Sequence, residues 1–400
     1  MKAKSMFVVA GVFLVTGLLA IPIAECSQQK GTGVDYEALA QKLVNQCANI
    51  HEGDLVLVSG GVRDFELLEN IAVNVRKVGA FPLVSLNSDR MWRRSFDDVP
   101  AKYDSQTREF DLKLASLITA QIDVDFTETE ALLAHVPPER RATSMKTYFN
   151  VYDLMLKRNV RYVNLGNGLY PTSERAKLFG LSQEELSKIF WDGVNVDYSK
   201  LQATGKAVKA ALASGKQVHI TNPNGTDLKM QIEGRPVFVS DGVISADDVQ
   251  TGGAACQVYL PAGEVFLAPV PGTAEGKVVG ATQFLQGKEI QDLSLTFKAG
   301  KLTSMTAKSG LEPVKAVYDA AGSGKDDFAG IDIGINADVQ VPPGSRMVAV
   351  MPAGMVTVWI GDNKWAGGEN DSGYILYNYV PGSTLEVDGK VLVEKGVLKF

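Results

Sequence analysis

Three histidines, at positions 51, 135 and 219 of a 400-residue chain, limit the nucleophilic chemistry available. A Ser-His-Asp or Cys-His device needs an imidazole within hydrogen-bond reach of its nucleophile. His51 follows one helical segment, His135 ends another, and His219 lies on a strand-like run. No motif frames any of them, so all three read as surface or core histidines. The turn Val58-Ser-Gly-Gly-Val-Arg63 stands between strand and helix, where backbone N–H groups can cradle a phosphate. It lacks both G-x-G-x-x-G and G-x-x-x-x-G-K, and its glycines read as permitting a tight turn. The remaining chemistry lies in carboxylates. Glu264 follows Gly263, Asp332 sits in Phe328–Asn336, and Asp362, Glu369 and Asp371 crowd a glycine-rich loop, where acids commonly serve the turn itself.

The elements that would position these groups change character near residue 216. From 35 to 197, short apolar runs alternate with helical periodicity: Tyr36–Ala48 as helix, Asp54–Ser59 as strand, Phe65–Val78 as helix, then strands at Phe81–Leu86, Ile122–Phe126 and Val160–Leu165. That alternation predicts an α/β domain with a parallel sheet. Thr172 and the pair Ser182/Glu185 offer helix caps. A linking helix is expected over 198–215. Beyond it, short strand candidates at 218–221, 228–232, 237–239, 258–260, 294–297, 347–351 and 357–360 are separated by Asn-Gly, Asp-Gly and Pro-Gly turns, with a helix over 311–321. Residues 216–400 therefore read as a mainly antiparallel α+β domain. Asn224-Gly225-Thr226 is formally a glycosylation sequon and reads as a hairpin turn.

Composition is that of a globular protein, 45% hydrophobic and 22% charged. A net charge of −6 lacks the basic footprint of a nucleic-acid binder. Lys2 and Lys4 precede the uncharged run Met6–Ala24, so residues 1–26 read as a signal peptide or N-terminal anchor. Ala24 and Cys26 are small residues suited to cleavage before Ser27. Lipid on Cys26, and an uncleaved anchor, are the alternatives. The expected location is exported, periplasmic or extracellular, with membrane attachment only through that end. Cys47 and Cys256 occupy apolar segments and read as buried thiols without a bridge.

Several strings then recur in a consistent order. They are Gly53-Asp54, Val136-Pro-Pro-Glu-Arg-Arg-Ala142, Tyr170-Pro-Thr172, Gly225-Thr-Asp-Leu228, Glu233-Gly-Arg235, Ser240-Asp-Gly242 and Leu260-Pro-Ala-Gly-Glu-Val-Phe-Leu-Ala-Pro269. From about residue 36 onward the chain resembles the thermophilic metallo-aminopeptidase family, of aminopeptidase T type. The resemblance implies an α/β domain with a parallel sheet, a catalytic domain, and a homodimer with an interior cavity. It also implies two divalent metal ions (Zn, Co or Mg) held by two glutamates, two histidines and an aspartate. Such ions lower the pKa of a bridging water and stabilise the oxyanion.

Carried over singly, those ligands are mostly missing. Glu264 matches the first glutamate. Gly330 falls on the second, Thr357 is nearest the first histidine, and Ile375 and Tyr377 fall on the His-x-Asp pair. Asp332, two residues from Gly330, is a substitute on the same strand face. Asp362, Glu369 and Asp371, in the loop after the Thr357 strand, would with Glu264 make an all-oxygen site suited to Mg²⁺ or Ca²⁺. The expectation is an exported homologue with a degraded two-metal site and no resident cofactor, binding peptides or a protein partner. An active aminopeptidase with a rearranged carboxylate site and a structural envelope protein are the competing readings.

Overall fold

Parallel strands must be joined by long crossovers, and the first half of the chain supplies them as helices. The structure, a computed structural model, describes residues 34–400; the segment read as a signal or anchor lies outside the described residues. Asp35 caps the helix Tyr36–Lys42 by accepting from the Ala38 N–H. That helix continues through a wider π turn, Leu43–Cys47. The first strand, Leu55–Gly61, is followed by the helix Phe65–Lys77, whose Leu67, Leu68, Ile71 and Val75 are buried. Strands Phe81–Asn87, Ala120–Val124 and Arg161–Leu165 complete the four expected from the sequence.

The spatial order is Phe81–Asn87, Leu55–Gly61, Ala120–Val124, Arg161–Leu165, then Gln257–Leu260, all parallel. The fifth strand corrects the sequence reading. The pattern places residues 258–260 among antiparallel strands, yet they extend the parallel sheet beside Arg161–Leu165. An apolar tetrapeptide carries no signal of which neighbour it will pair with. The sheet is not apolar on both faces. Val56, Val58, Ile122, Val124, Val163 and Leu165 line the covered face. The other carries the polar row Ser59, Asp123, Asn164 and Tyr259 in register. Ser59 donates to the Asp123 carboxylate, and burial pushes Asp123 up to about 6. At the open edge, Phe81, Leu83, Val84 and Leu86 are exposed.

The turn at Gly60-Gly61 is closely packed: a Cβ on Gly60 would meet Leu68 at 2.9 Å, and one on Gly61 would meet Phe126 at 3.2 Å. Arg63, its cation, lies 4.7 Å from the Tyr170 ring centre, bonds Asp64 at 3.1 Å and donates to the Asp125 carbonyl. Thr172 caps Ser173–Phe179, and Ser182 with Glu185 forms the expected capping box of Gln183–Val194. The helix Tyr198–Ala213 follows.

Beyond it lie two large antiparallel sheets and a two-stranded ribbon, Gln283–Leu285 with Lys288–Ile290. One has eight strands, in the order Lys301–Thr306, Ser294–Lys298, Glu275–Val279, Thr226–Gln231, Gln217–Asn222, Thr384–Val387, Lys390–Glu394 and Val397–Leu398. Its central hairpin turns at Asn224-Gly225, between Asn222 and Thr226. The other has five: Ile375–Tyr379, Val356–Gly361, Phe328–Gly334, Glu264–Leu267 and Phe238–Ser240. Residues 347–351, expected as a strand, form none. Met347, Ala349 and Met351 are nevertheless buried, so alternation there reports packing of an irregular segment. The helix Leu311–Ala320 stands where expected. Asp35–Phe400 forms one compact unit.

One buried ion pair anchors the start of the parallel sheet. Arg161 Nη2 lies 2.5 Å from Asp54 Oδ1, and Arg161 also donates to the Asn49 carbonyl. Burial raises the Asp54 pKa, but the Arg161 guanidinium, the His51 N–H and the Thr119 hydroxyl bring it below its ordinary value. Removing one partner leaves the other charge desolvated and alone. Arg161→Ala should therefore cost about 3 kcal/mol at pH 7. A carboxylate held below its unfolded pKa stabilises above that pKa and loses the contribution as pH falls through the folded value. The stability gap between wild type and Arg161→Ala, from urea melts, should shrink as pH is lowered below about 4.

Candidate functional site

The chain leaves the parallel sheet at Leu260 and enters the five-stranded sheet at Glu264 through Pro261-Ala262-Gly263. Gly263 has φ +131°, and a Cβ there would meet the Asn336 Cβ at 2.5 Å. The Asn336 amide donates to the carbonyls of Ala262 (2.6 Å) and Gly193 (3.2 Å). This clamp sets where Glu264 begins its strand. Glu264 pairs with Gly334 on one side and Ser240 on the other.

Register then fixes which side chains share a face, because directly opposed residues in an antiparallel pair point the same way. Two residues beyond Glu264, Phe266 opposes Asp332. Asp332 opposes Thr357, and Thr357 opposes Tyr379. The next row holds Gly330, Trp359 and Tyr377. The structure thus brings Glu264 and Asp332 together, with Thr357 and Tyr377, on one face of one sheet.

The two carboxylates are almost fully buried, Glu264 at 3% and Asp332 at 2% exposure. Asn167, in the loop after Arg161–Leu165, donates its amide to one Glu264 oxygen and to the Pro261 carbonyl. Burial pushes Glu264 up to about 7, and the Asn167 amide offsets part of that rise. Burial, then the neighbouring Glu264 charge, push Asp332 well above the carboxylate range. No cationic side chain contributes to either. Asp332 Oδ1 and Thr357 Oγ1 are both buried without a hydrogen-bond partner. Burial, with Glu264 and Asp332 nearby, pushes the Tyr379 phenol up to about 12.

The position opposite Trp359 is closed. A Cβ on Gly330 would fall well inside contact distance of Trp359 Cη2 and Cζ2, so the indole stands where a side chain at 330 would go. Trp359 stacks on Trp365 at 4.9 Å between ring centres, and Trp365 lies 5.0 Å from Phe266. Tyr377 lies 6.0 Å from Trp359. Tyr259, whose hydroxyl is 3.0 Å from that of Tyr152, joins this wall from the parallel sheet, 6.4 Å from Trp365.

The loop acids go elsewhere. Asp362 is buried and accepts from the Lys364 N–H, while Asp371 is exposed and pairs with Lys364 at 2.7 Å. Glu369 is exposed. Ile375 begins its strand opposite Gly361, an apolar position. His135 pairs with Asp97 and His219 with Asp227, both at exposed sites. Among the described residues, no group of three or more His, Cys, Asp or Glu side chains gathers closely enough to hold a metal ion. Cys47 and Cys256 are buried free thiols. A surface hollow of about 280 Å³ between Phe96, Tyr103, Arg108 and Ser144 contains none of the residues singled out from the sequence.

The family model for thermophilic metalloprotease (M29) matches residues 34–323. The chain belongs to that family. Aminopeptidase T of Thermus thermophilus is 21% identical over 309 residues, spanning 71% of this chain and 74% of that protein. The structure of wild-type AmpT from Thermus thermophilus superposes with a TM-score of 0.69 at 19% identity, covering 91% of this chain and 99% of that one. The 2,5-dihydroxypyridine dioxygenase of Pseudomonas putida KT2440 superposes with a TM-score of 0.58 at 12% identity, covering 91% and 98%. At these identities the superpositions establish the fold alone, and the fold is shared by proteins named for different chemistries. The M29 match ends before Gly330, Thr357, Ile375 and Tyr377.

Asn167, Trp359 and Tyr379 are not legible from the sequence as site residues. Asn167 lies 97 positions from Glu264, and no local pattern marks it. The Trp359–Gly330 pairing leaves a faint signal, since a glycine in a strand often admits a large cross-strand neighbour. Gly330→Ala should displace the indole and cost about 1–3 kcal/mol by overpacking. Tryptophan fluorescence and thermal melts check this. The double variant Gly330→Ala/Trp359→Leu should recover part of the loss if the clash is with the indole.

Proposed function

We propose that this chain is an exported, non-catalytic member of the M29 family that uses the face around Glu264 to bind a ligand, peptide or protein. The observation that carries the reading is the Trp359 indole over Gly330. A two-metal hydrolase holds its ions about 3.5–4 Å apart with carboxylates and imidazoles on both sides. Here the face offers two carboxylates, the Thr357 hydroxyl, the phenols of Tyr377 and Tyr379, and the Asn167 amide. Its other positions include Gly330, Phe266 and Trp359. That donor set does not fit a pair of divalent ions, and no hydrolytic step is derived through one. The name aminopeptidase T, borne by a relative, supports peptides as the class of ligand. Export rests on the charged start and apolar run of residues 1–26, and a homodimer on the family resemblance.

One observation favours a second reading. The unpartnered oxygens of Asp332 and Thr357 lie beside Glu264, and oxygen ligands suit magnesium or calcium. A rearranged site on Glu264 and Asp332 would then support aminopeptidase activity.

Metal analysis of the purified full chain, after dialysis against zinc, cobalt, magnesium and calcium in turn, separates the two. The expected result is no stoichiometric metal and no release of N-terminal residues from a peptide library. Two bound metals per chain with turnover abolished by Glu264→Ala would overturn the non-catalytic reading. Magnesium or calcium bound in wild type and lost in Asp332→Ala would establish the second.

A further inference from the structure

Parallel sheets are ordinarily covered on both faces, and exposed edge strands are ordinarily short or charged. The strand Phe81–Asn87 departs from both habits. It pairs only with Leu55–Gly61 and runs seven residues without a charge. Phe81, Leu83, Val84 and Leu86 are between 39% and 54% exposed. The helix Phe65–Lys77 packs beside it and exposes Phe65 and Val73. Contiguous apolar surface of this kind marks an interaction site.

The backbone of this edge complements itself. The Phe81 N–H donates to the Asp54 carbonyl at 2.8 Å. Alternate residues of a strand bond to opposite sides, so Leu83, Ser85 and Asn87 also bond inward. Pro82, Val84 and Leu86 turn their backbone groups outward, where Pro82 has no N–H to lose. The free edge therefore offers N–H groups at 84 and 86 and carbonyls at 82, 84 and 86. About a two-fold axis at Val84, each Val84 exchanges both bonds with its counterpart. Each Leu86 N–H then reaches the Pro82 carbonyl of the other copy.

The neighbouring helix carries charge that fits the same axis. It runs antiparallel to the strand. Leu68 packs on Gly60, which opposes Leu86, whereas the Arg76 guanidinium lies 5.1 Å from the Phe81 ring centre. Ala72 thus lies beside the middle of the strand. Phe65, Glu69, Ala72 and Arg76 share one side of the helix by their spacing. The axis that pairs Val84 with itself sets two such helices antiparallel, with Glu69 of each copy opposite Arg76 of the other. Among the described residues, the helix's ion pair to the rest of the chain is that of Lys77 with Glu37. Arg76 bonds the Ala80 carbonyl instead of a carboxylate.

We infer that Phe81–Asn87 and the Phe65–Arg76 side of its helix bind a second copy of this chain, edge to edge about a two-fold axis. The pairing joins two five-stranded sheets into one of ten strands and closes both edges. Strand and helix together cover on the order of 600 Å² per copy, the lower end of stable interfaces. This edge is the opposite one from Gln257–Leu260, which leads to Glu264, so the inference holds for either reading of the Glu264 face.

Sedimentation velocity of the full chain across a wide concentration range tests it. Reversible self-association is expected. Leu86→Lys, Glu69→Lys and Arg76→Glu should each weaken it roughly tenfold. The double variant Glu69→Lys/Arg76→Glu should restore it, which a merely structural role for either residue would not produce. Opposed residues that exchange backbone bonds lie about 5.5 Å apart at Cα, within disulfide reach. Val84→Cys should therefore cross-link in pairs on mild oxidation. Thermal melts confirm that each variant folds. If the chain also associates through another surface, the weakening variants should lower the assembly by one doubling. A chain that stays monomeric, or one whose association ignores Leu86→Lys and both charge reversals, overturns the inference. So does a different protein, rather than a second copy, captured at residue 84.

Discussion

The crossing from Leu260 to Glu264 is the constraint on which the rest of the molecule hangs. The chain leaves a parallel sheet and starts an antiparallel one within three residues. The Asn336 amide spans the gap by bonding the Ala262 and Gly193 carbonyls. Buried backbone carbonyls must find donors, and here one side chain serves two from distant parts of the sequence. The backbone of Asn336 packs where a Cβ on residue 263 would stand, so only glycine fits. Glu264 is buried because the crossing leaves it no alternative. Its carboxylate meets Asn167 from the parallel-sheet side and Asp332 from its own sheet.

Burial has opposite meanings for the two kinds of group at this face. For Trp359 it is favourable. The ring stacks on Trp365, donates its N–H to the Asp362 carbonyl at 3.1 Å, and fills the space that Gly330 leaves open. For Glu264 and Asp332 it is costly, since neither has a cation to offset lost hydration. An aromatic cluster occupies a location where acids persist. The same side chains that make the wall apolar raise the cost of each remaining charge, because they lower the local dielectric.

How much of this is legible in the sequence follows from the range of each interaction. The strands Leu55–Gly61 and Arg161–Leu165, the capping box at Ser182 and the helix Leu311–Ala320 are local patterns, and local patterns announce them. Glu264 is found because its flanking residues resemble a known segment, and Asp332 because strand alternation puts it on the same face as Gly330. The pairing of Gln257–Leu260 escapes such reading, since pairing partners are a property of topology. Asn167, Trp359 and Tyr379 act through contacts across long sequence separations, and their types alone are compatible with any core or loop. The strand expected at 347–351 shows the converse. Met347, Ala349 and Met351 are buried at alternating positions, yet no neighbouring strand offers them a ladder.

The parallel sheet's fifth strand has a kinetic consequence. Arg161–Leu165 has no partner on its far edge until Gln257–Leu260 arrives, after four helices and the first antiparallel hairpin have intervened. Contacts closed over long sequence separations form late and slow folding. A nascent chain that has emerged only to residue 197 therefore carries a bare sheet edge at Arg161–Leu165, in addition to the exposed apolar edge at Phe81–Asn87. Until the later half docks, both edges offer unpaired backbone to other chains, so the interval between the two halves is when this protein has most need of a chaperone.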